Sequence, residues 1–237
     1  MSPSPEKGNL SRCGARLRCV AWEEHAEREE ARYADALARM PDEPDPRQKQ
    51  LARAAMAAGG AGLARLMQGR AAEAAGWFAR SAERYRESWP DAPPASWGRL
   101  IGALKSRILA DDWEGAEADA RWALEQDPAA GDSPIGAYAA ALARLVLGED
   151  RQAAELAEIL RAADEDAFPA PVAEAIAGLA AGDVGAYAAG CAAVLASFEA
   201  REAYLEDIPV ADTVIVLEAL AERRGLATHP SSPLLPS

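Results

Sequence analysis

The stretch SWGRLIGALKSRILADDWEGA, residues 96–116, decides the fold. It reads as an apolar helix, an acidic break, and the capped start of a second helix. On a helix, Trp97, Ile101, Leu104 and Ile108 recur at i, i+4, i+7 and i+11, which makes one apolar stripe. Gly98 and Gly102 lie together on another face, where a neighbouring helix can approach closely. The break at Asp111-Asp112 is followed by Trp113-Glu114-Gly115-Ala116, which opens the partner helix with two small residues in its first turn.

The same punctuation recurs along the chain. Gly69-Arg70-Ala71, Gly148-Glu149-Asp150-Arg151 and Gly182-Asp183-Val184-Gly185 each join the end of one helical pattern to the start of another. With Arg70, Asp112, Asp150 and Asp183 as equivalent points, the spacings are 42, 38 and 33 residues, within the range of degenerate helical repeats. A helix pair cannot bury its apolar stripe alone, so pairs stack. The expected fold is all-α: a tetratricopeptide-like right-handed α-solenoid of stacked antiparallel helix pairs.

Working outward, the caps and breakers predict helices over about 22–39, 47–68, 71–88, 96–110 and 113–126. Ser133-Pro134 is a cap and an N1 proline, opening a helix to Leu147. Asp150 is read as the cap of the next, to Ala163. Residues 170–181 and 184–204 form a further pair. Pro209 opens the last helix, which closes on Arg223-Arg224-Gly225, cations followed by a C-terminal glycine. No alternating Val/Ile/Thr run or Asn-Gly turn signals a strand. The Val214-Ile215-Val216 run falls inside a helical pattern. Residues 1–20 lack steady periodicity and residues 228–237 hold three prolines, so both are expected to be disordered tails. Residues 21–227 form the helical-repeat domain.

Composition sets the class of partner. Of 237 residues, 59 are alanine, which favours helix and close packing. The net charge is −13; four cations against one acid make residues 1–20 +3, leaving −16 on residues 21–237. Such a chain is expected to bind no nucleic acid and no anionic membrane, and to attract basic proteins. No run approaches a membrane span, and the start lacks the apolar core of a signal peptide. Cys13, Cys19 and Cys191 make neither a disulfide framework nor a zinc pattern, so a cytoplasmic location is expected.

Chemistry is sparse. There are two histidines, His25 in the first helix and His229 near the end. No Glu-x-x-His pair and no His-x-x-x-His pair is present. Cys191 lies on the stripe Tyr187, Cys191, Val194, Phe198, which predicts a buried, unreactive thiol. Asp164-Glu165-Asp166 before Pro169 reads as a solvated loop rather than a metal site. No phosphate-binding glycine loop is present. The expectation is a non-enzymatic protein with no catalytic residue, cofactor or metal. Arg99, Lys105 and Arg107, beside the small-residue seam at Gly102, are the candidate partner-binding groups. They suit an anion or carboxylate contact; the alternative is a solvated flank with a snorkelling lysine.

The run from Tyr85 to Trp113, YRESWPDAPPASWGRLIGALKSRILADDW, resembles the central segment of the immunity protein 49 family of bacterial polymorphic-toxin systems. The segment DIPVADTVIVLEALAERRGL, residues 207–226, is similar to the closing helix of such proteins. The resemblance implies a helical scaffold whose gene lies beside a toxin gene, often a nuclease, and whose partner is that cognate toxin domain. It carries over no binding residues. A general adaptor for peptides or a regulatory protein is the competing reading.

Overall fold

The computed structural model describes the backbone of residues 7–237 and the side chains from residue 21 onward, Leu205 excepted. Ten α-helices and one 3₁₀ turn account for the regular structure, with no strand among the described residues. They are α1 (Lys7–Ala38), α2 (Pro44–Met67), α3 (Ala71–Ser88), α4 (Gly98–Leu109) and α5 (Trp113–Glu125). There follow α6 (Pro134–Val146), α7 (Asp150–Arg161), α8 (Ala170–Ala181), α9 (Val184–Glu199), the 3₁₀ turn Leu205–Asp207, and α10 (Asp212–Glu222).

One turn type joins α2 to α3, α4 to α5, α6 to α7 and α8 to α9. Its central residue, Gly69, Asp111, Gly148 or Gly182, has φ of +73°, +56°, +71° or +67°. The next amide reaches back over the last turn: Arg70 N to Arg65 O, Asp112 N to Arg107 O, Glu149 N to Arg144 O, Asp183 N to Gly178 O, at 2.9–3.0 Å. This left-handed closure satisfies carbonyls that a helix end leaves unpaired. Glycine takes the conformation without steric cost, and Asp111 is the one departure. Three helices, α5, α6 and α9, are capped as their sequences predict. Asp112 accepts from Gly115 N (2.9 Å), Ser133 from Gly136 N (3.3 Å) and Asp183 from Ala186 N (3.0 Å). Asp150 is not a cap. Glu149 holds that position without a side-chain bond, and Asp150 is the first residue of α7, turned toward Arg224.

Each helix packs on its neighbours in sequence, across the tight turns and across the longer proline-containing links alike. In addition α4 meets α6, and α10 returns to touch α4, α8 and α9. Alanine makes the close approach affordable in volume: Ala54, Ala55, Ala58 and Ala61 of α2 are fully buried. A Cβ on Gly62 would stand 2.6 Å from the Phe78 ring, so α2 and α3 touch at a residue without a side chain.

The stripe on α4 is rotated from its expected position. Leu100, Leu104 and Ile108 are buried, whereas Trp97 and Ile101 are only partly so. Trp97 instead joins Trp89 (ring centroids 5.9 Å apart), which meets Trp122 edge-on at 5.8 Å. Trp89 Nε1 donates to Gln126 (3.0 Å), so this cluster pins the α3–α4 link against α5.

The C-terminal region departs most from expectation. Helix α9 stops at Glu199, and α10 starts at Asp212 rather than Pro209. Glu206 and Asp207, at φ +55° and +54°, turn the chain between them, and the Tyr204 hydroxyl donates to Phe198 O (2.8 Å). Residues 228–237 are not a disordered tail. Thr228 N and His229 N donate to Glu218, Ser232 to Glu199 and Ala211 N to Leu234 O. Leu234 and Leu235 pack against the core. The prolines keep this segment out of helix, and its amides still dock on a carboxylate. The tail expected over residues 1–20 lies outside the described side chains, and α1 spans its residues from Lys7 onward.

Candidate functional site

The three cations expected to meet a partner are committed inside the molecule. Arg107 ends α4 and clamps its own turn, donating to Asp112 (2.8 Å) and to the buried Asp119 of α5 (3.1 Å). Arg86 of α3 also donates to Asp119 (2.7 Å) and stacks over Trp122 at 4.2 Å. Arg99 donates to Ser88 O at the end of α3 and to Gln48 of α2. Its desolvation lowers the guanidinium pKa. Lys105 pairs with Asp212 and donates to Thr213 Oγ1 (3.2 Å). Its side chain is 16% exposed, so neither the solvated-flank reading nor a free partner contact describes it. Burial pushes the ammonium pKa down, and Asp212 beside it more than reverses this. The i-to-i+3 relation between Gly102 and Lys105 does place them together, but the seam at Gly102 is filled by the Tyr85 ring.

Lys105 stands in the wall of a half-open pocket of about 350 Å³ bordered by α2, α3, α4 and the chain from Phe198 to Thr213. Its walls are mostly apolar, with Phe78, Leu63 and Ile101 on the helices and Ile208 and Val210 on the returning segment. Tyr85 borders it with a phenol pushed up to about 12, by burial first and then by Asp212. Arg201 lies at the exposed rim, its guanidinium 3.7 Å above the Phe198 ring. Sequence reasoning missed this cavity because α4 and residues 198–213 are about a hundred residues apart. The unusual lysine was the one visible signal.

A second feature lies on the outside. The α5–α6 link and α7 border a groove of about 280 Å³ lined by Leu124, Asp127, Glu155, Leu156 and Ile159. Ile159 is 53% exposed, and Asp127 and Glu155 make no ion pair with a described residue. Glu125 and Asp132 nearby are likewise exposed acids.

Elsewhere, Glu218 of α10 gathers hydrogen bonds from Tyr187 (2.6 Å), Thr228 Oγ1 (2.9 Å) and the amides of Thr228 and His229 (2.9 and 2.7 Å). Burial alone raises its pKa, but these donors outweigh burial and lower it. Cys191, beside Glu218, is buried and its thiol is pushed up to about 11 by desolvation, unsuited to nucleophilic chemistry at neutral pH. The stripe Tyr187, Cys191, Val194, Phe198 is buried as its spacing predicts. Among the described residues no three His, Cys, Asp or Glu side chains come together as a metal site, and no helix is long and apolar enough to cross a membrane. Comparison with protein-family models, with curated proteins and with solved structures finds no match to this chain.

Proposed function

We propose that this chain is a non-enzymatic, cytoplasmic immunity protein that binds a cognate toxin domain of nuclease type and neutralises it without turnover. In this reading the fold is a tetratricopeptide-like right-handed α-solenoid. The four identical helix–turn–helix closures and the neighbour-to-neighbour packing support it. The immunity assignment draws on the resemblance of two segments, residues 85–113 and 207–226. These segments meet in space, where Lys105 of the first pairs with Asp212 of the second.

The observation that carries the binding role is the groove around Ile159. Acids outnumber cations over residues 21–237, and here an exposed apolar side chain is rimmed by Asp127 and Glu155, unpaired among the described residues, beside an Arg144 that is paired with Glu149. A nuclease holds phosphates, so its active groove is basic. An acidic rim around an apolar anchor complements such a groove, speeding encounter through charge and holding the complex through burial.

The test is co-expression with the toxin domain encoded next to this gene, followed by stopped-flow association across a salt series. Association should slow markedly from low salt to about half-molar, because the Debye length falls toward a few ångströms, while dissociation changes less. Ile159→Arg should speed dissociation, and Asp127→Lys with Glu155→Lys should slow association. Survival of cells without a stable complex would rule out sequestration. Variants at the groove that bind as wild type would remove this surface from the reading.

A further inference from the structure

The pocket beside Lys105 has no part in toxin binding as proposed, and its construction points elsewhere. At about 350 Å³ it lies at the small end of pockets that hold organic ligands, and it has the usual makeup of apolar walls with a few polar groups. Its ionic groups resolve by elimination. Asp212 is taken by Lys105. Glu206 is taken by Arg32, while Arg28 donates to the Glu206 carbonyl. Arg201 is left with no carboxylate within ion-pair distance among the described residues, held flat against Phe198 at the mouth. Within a chain carrying −16 over residues 21–237, the one uncommitted charge at this cavity is a cation.

Two more donors lie along the same walls. The Lys105 ammonium has three N–H groups and spends them on Asp212 and Thr213, which leaves one. Tyr85, kept protonated by burial, has no hydrogen-bond partner for its hydroxyl among the described residues.

We propose that the cavity binds a small amphipathic carboxylate, its apolar body between Phe78, Leu63, Ile101 and Val210 and its carboxylate on Arg201, with Lys105 the second donor. A guanidinium takes a carboxylate through two parallel hydrogen bonds, which fixes its orientation at the rim. The segment over the mouth is held to α1 through Glu206, and Glu206 and Asp207 both sit in the left-handed region, which is costly for residues with side chains.

The experiment uses the full chain and three probes: octanoate, octanol of matching length without charge, and butanoate with charge but a short body. Calorimetric titration should give saturable one-to-one binding of octanoate, with octanol at least tenfold weaker and butanoate not saturating. Arg201→Gln, at an exposed position, should bring octanoate down to the level of octanol with an unchanged circular dichroism spectrum. Leu63→Trp, which fills the cavity, should abolish binding of both. In a spectrum labelled at isoleucine methyls, octanoate should shift Ile101 and Ile208 and leave Ile159 in place. Equal affinity of wild type for octanoate and octanol, unchanged discrimination in Arg201→Gln, or shifts at Ile159 alone would overturn the proposal. So would the absence of saturable binding to wild type. None of these results depends on whether a toxin is bound.

Discussion

Replacing Lys105 tests how the two ends of the fold are held together. The ammonium is 16% exposed and Asp212 is 29% exposed. Breaking a fully buried pair by removing one partner costs about 3–5 kcal/mol, and an exposed pair is worth at most about 1. Lys105→Met keeps the stem and deletes the charge, leaving Asp212 with Thr213 as its remaining partner. The intermediate burial places the expected loss at about 2–3 kcal/mol. Asp212→Asn in the same chain removes the stranded charge, so the double variant should recover to within about 1 kcal/mol of wild type. Urea unfolding at neutral pH, followed by tryptophan fluorescence, reads both as shifts of midpoint at constant slope. The pH dependence carries its own sign. The folded pKa of Lys105 is raised, so its contribution is complete below the unfolded value of about 10.4 and fades as pH climbs through the folded one. Wild type and Lys105→Met should therefore converge in strongly alkaline solution. A single-variant loss below about 0.5 kcal/mol, within the range of ordinary surface changes, would mean that the ammonium is solvated. A double variant as unstable as the sum of the two singles would mean that the charges do not interact.

Deleting residues 228–237 should lower the calorimetric melting temperature by the equivalent of about 2–4 kcal/mol, because the docked Leu234 and Leu235 and the donors to Glu218 are lost. Glu218 has a depressed folded pKa, so its stabilisation is present above the unfolded carboxylate value and is lost as pH falls through the folded one. Between neutral pH and about pH 3, a range that spans the unfolded carboxylate value, the urea midpoint of Glu218→Gln should fall less steeply than that of wild type. Gly102→Ala should destabilise by about 1–3 kcal/mol, since its Cβ would collide with the Tyr85 ring. Gly76→Ala, in helix α3 with nothing within 4 Å of the new Cβ, should stabilise by about 0.5–1 kcal/mol, both read from urea midpoints.

What the sequence by itself determined is what short-range forces determine. Gly69, Gly148 and Gly182 mark turns because the left-handed conformation favours glycine, and Asp112, Ser133 and Asp183 mark helix starts because their oxygens reach amides three residues on. The all-α class and most helix bounds follow from those local signals, as does the buried face of α9. Tertiary structure alone decided the rest. A cation at Lys105 looks the same in sequence whether it meets a toxin or Asp212, which lies 107 residues away. Arg99 and Arg107, candidates for a partner contact in sequence, are likewise spent on Gln48, Ser88, Asp112 and Asp119. The rotation of α4 that exchanges Ile101 for Leu100 in the core depends on which neighbours arrive on each side. The docking of residues 228–237 depends on Glu218 standing where extended amides can reach it. Such contacts arise only when helices distant in sequence come together, because burial and charge pairing act between surfaces that local sequence cannot place.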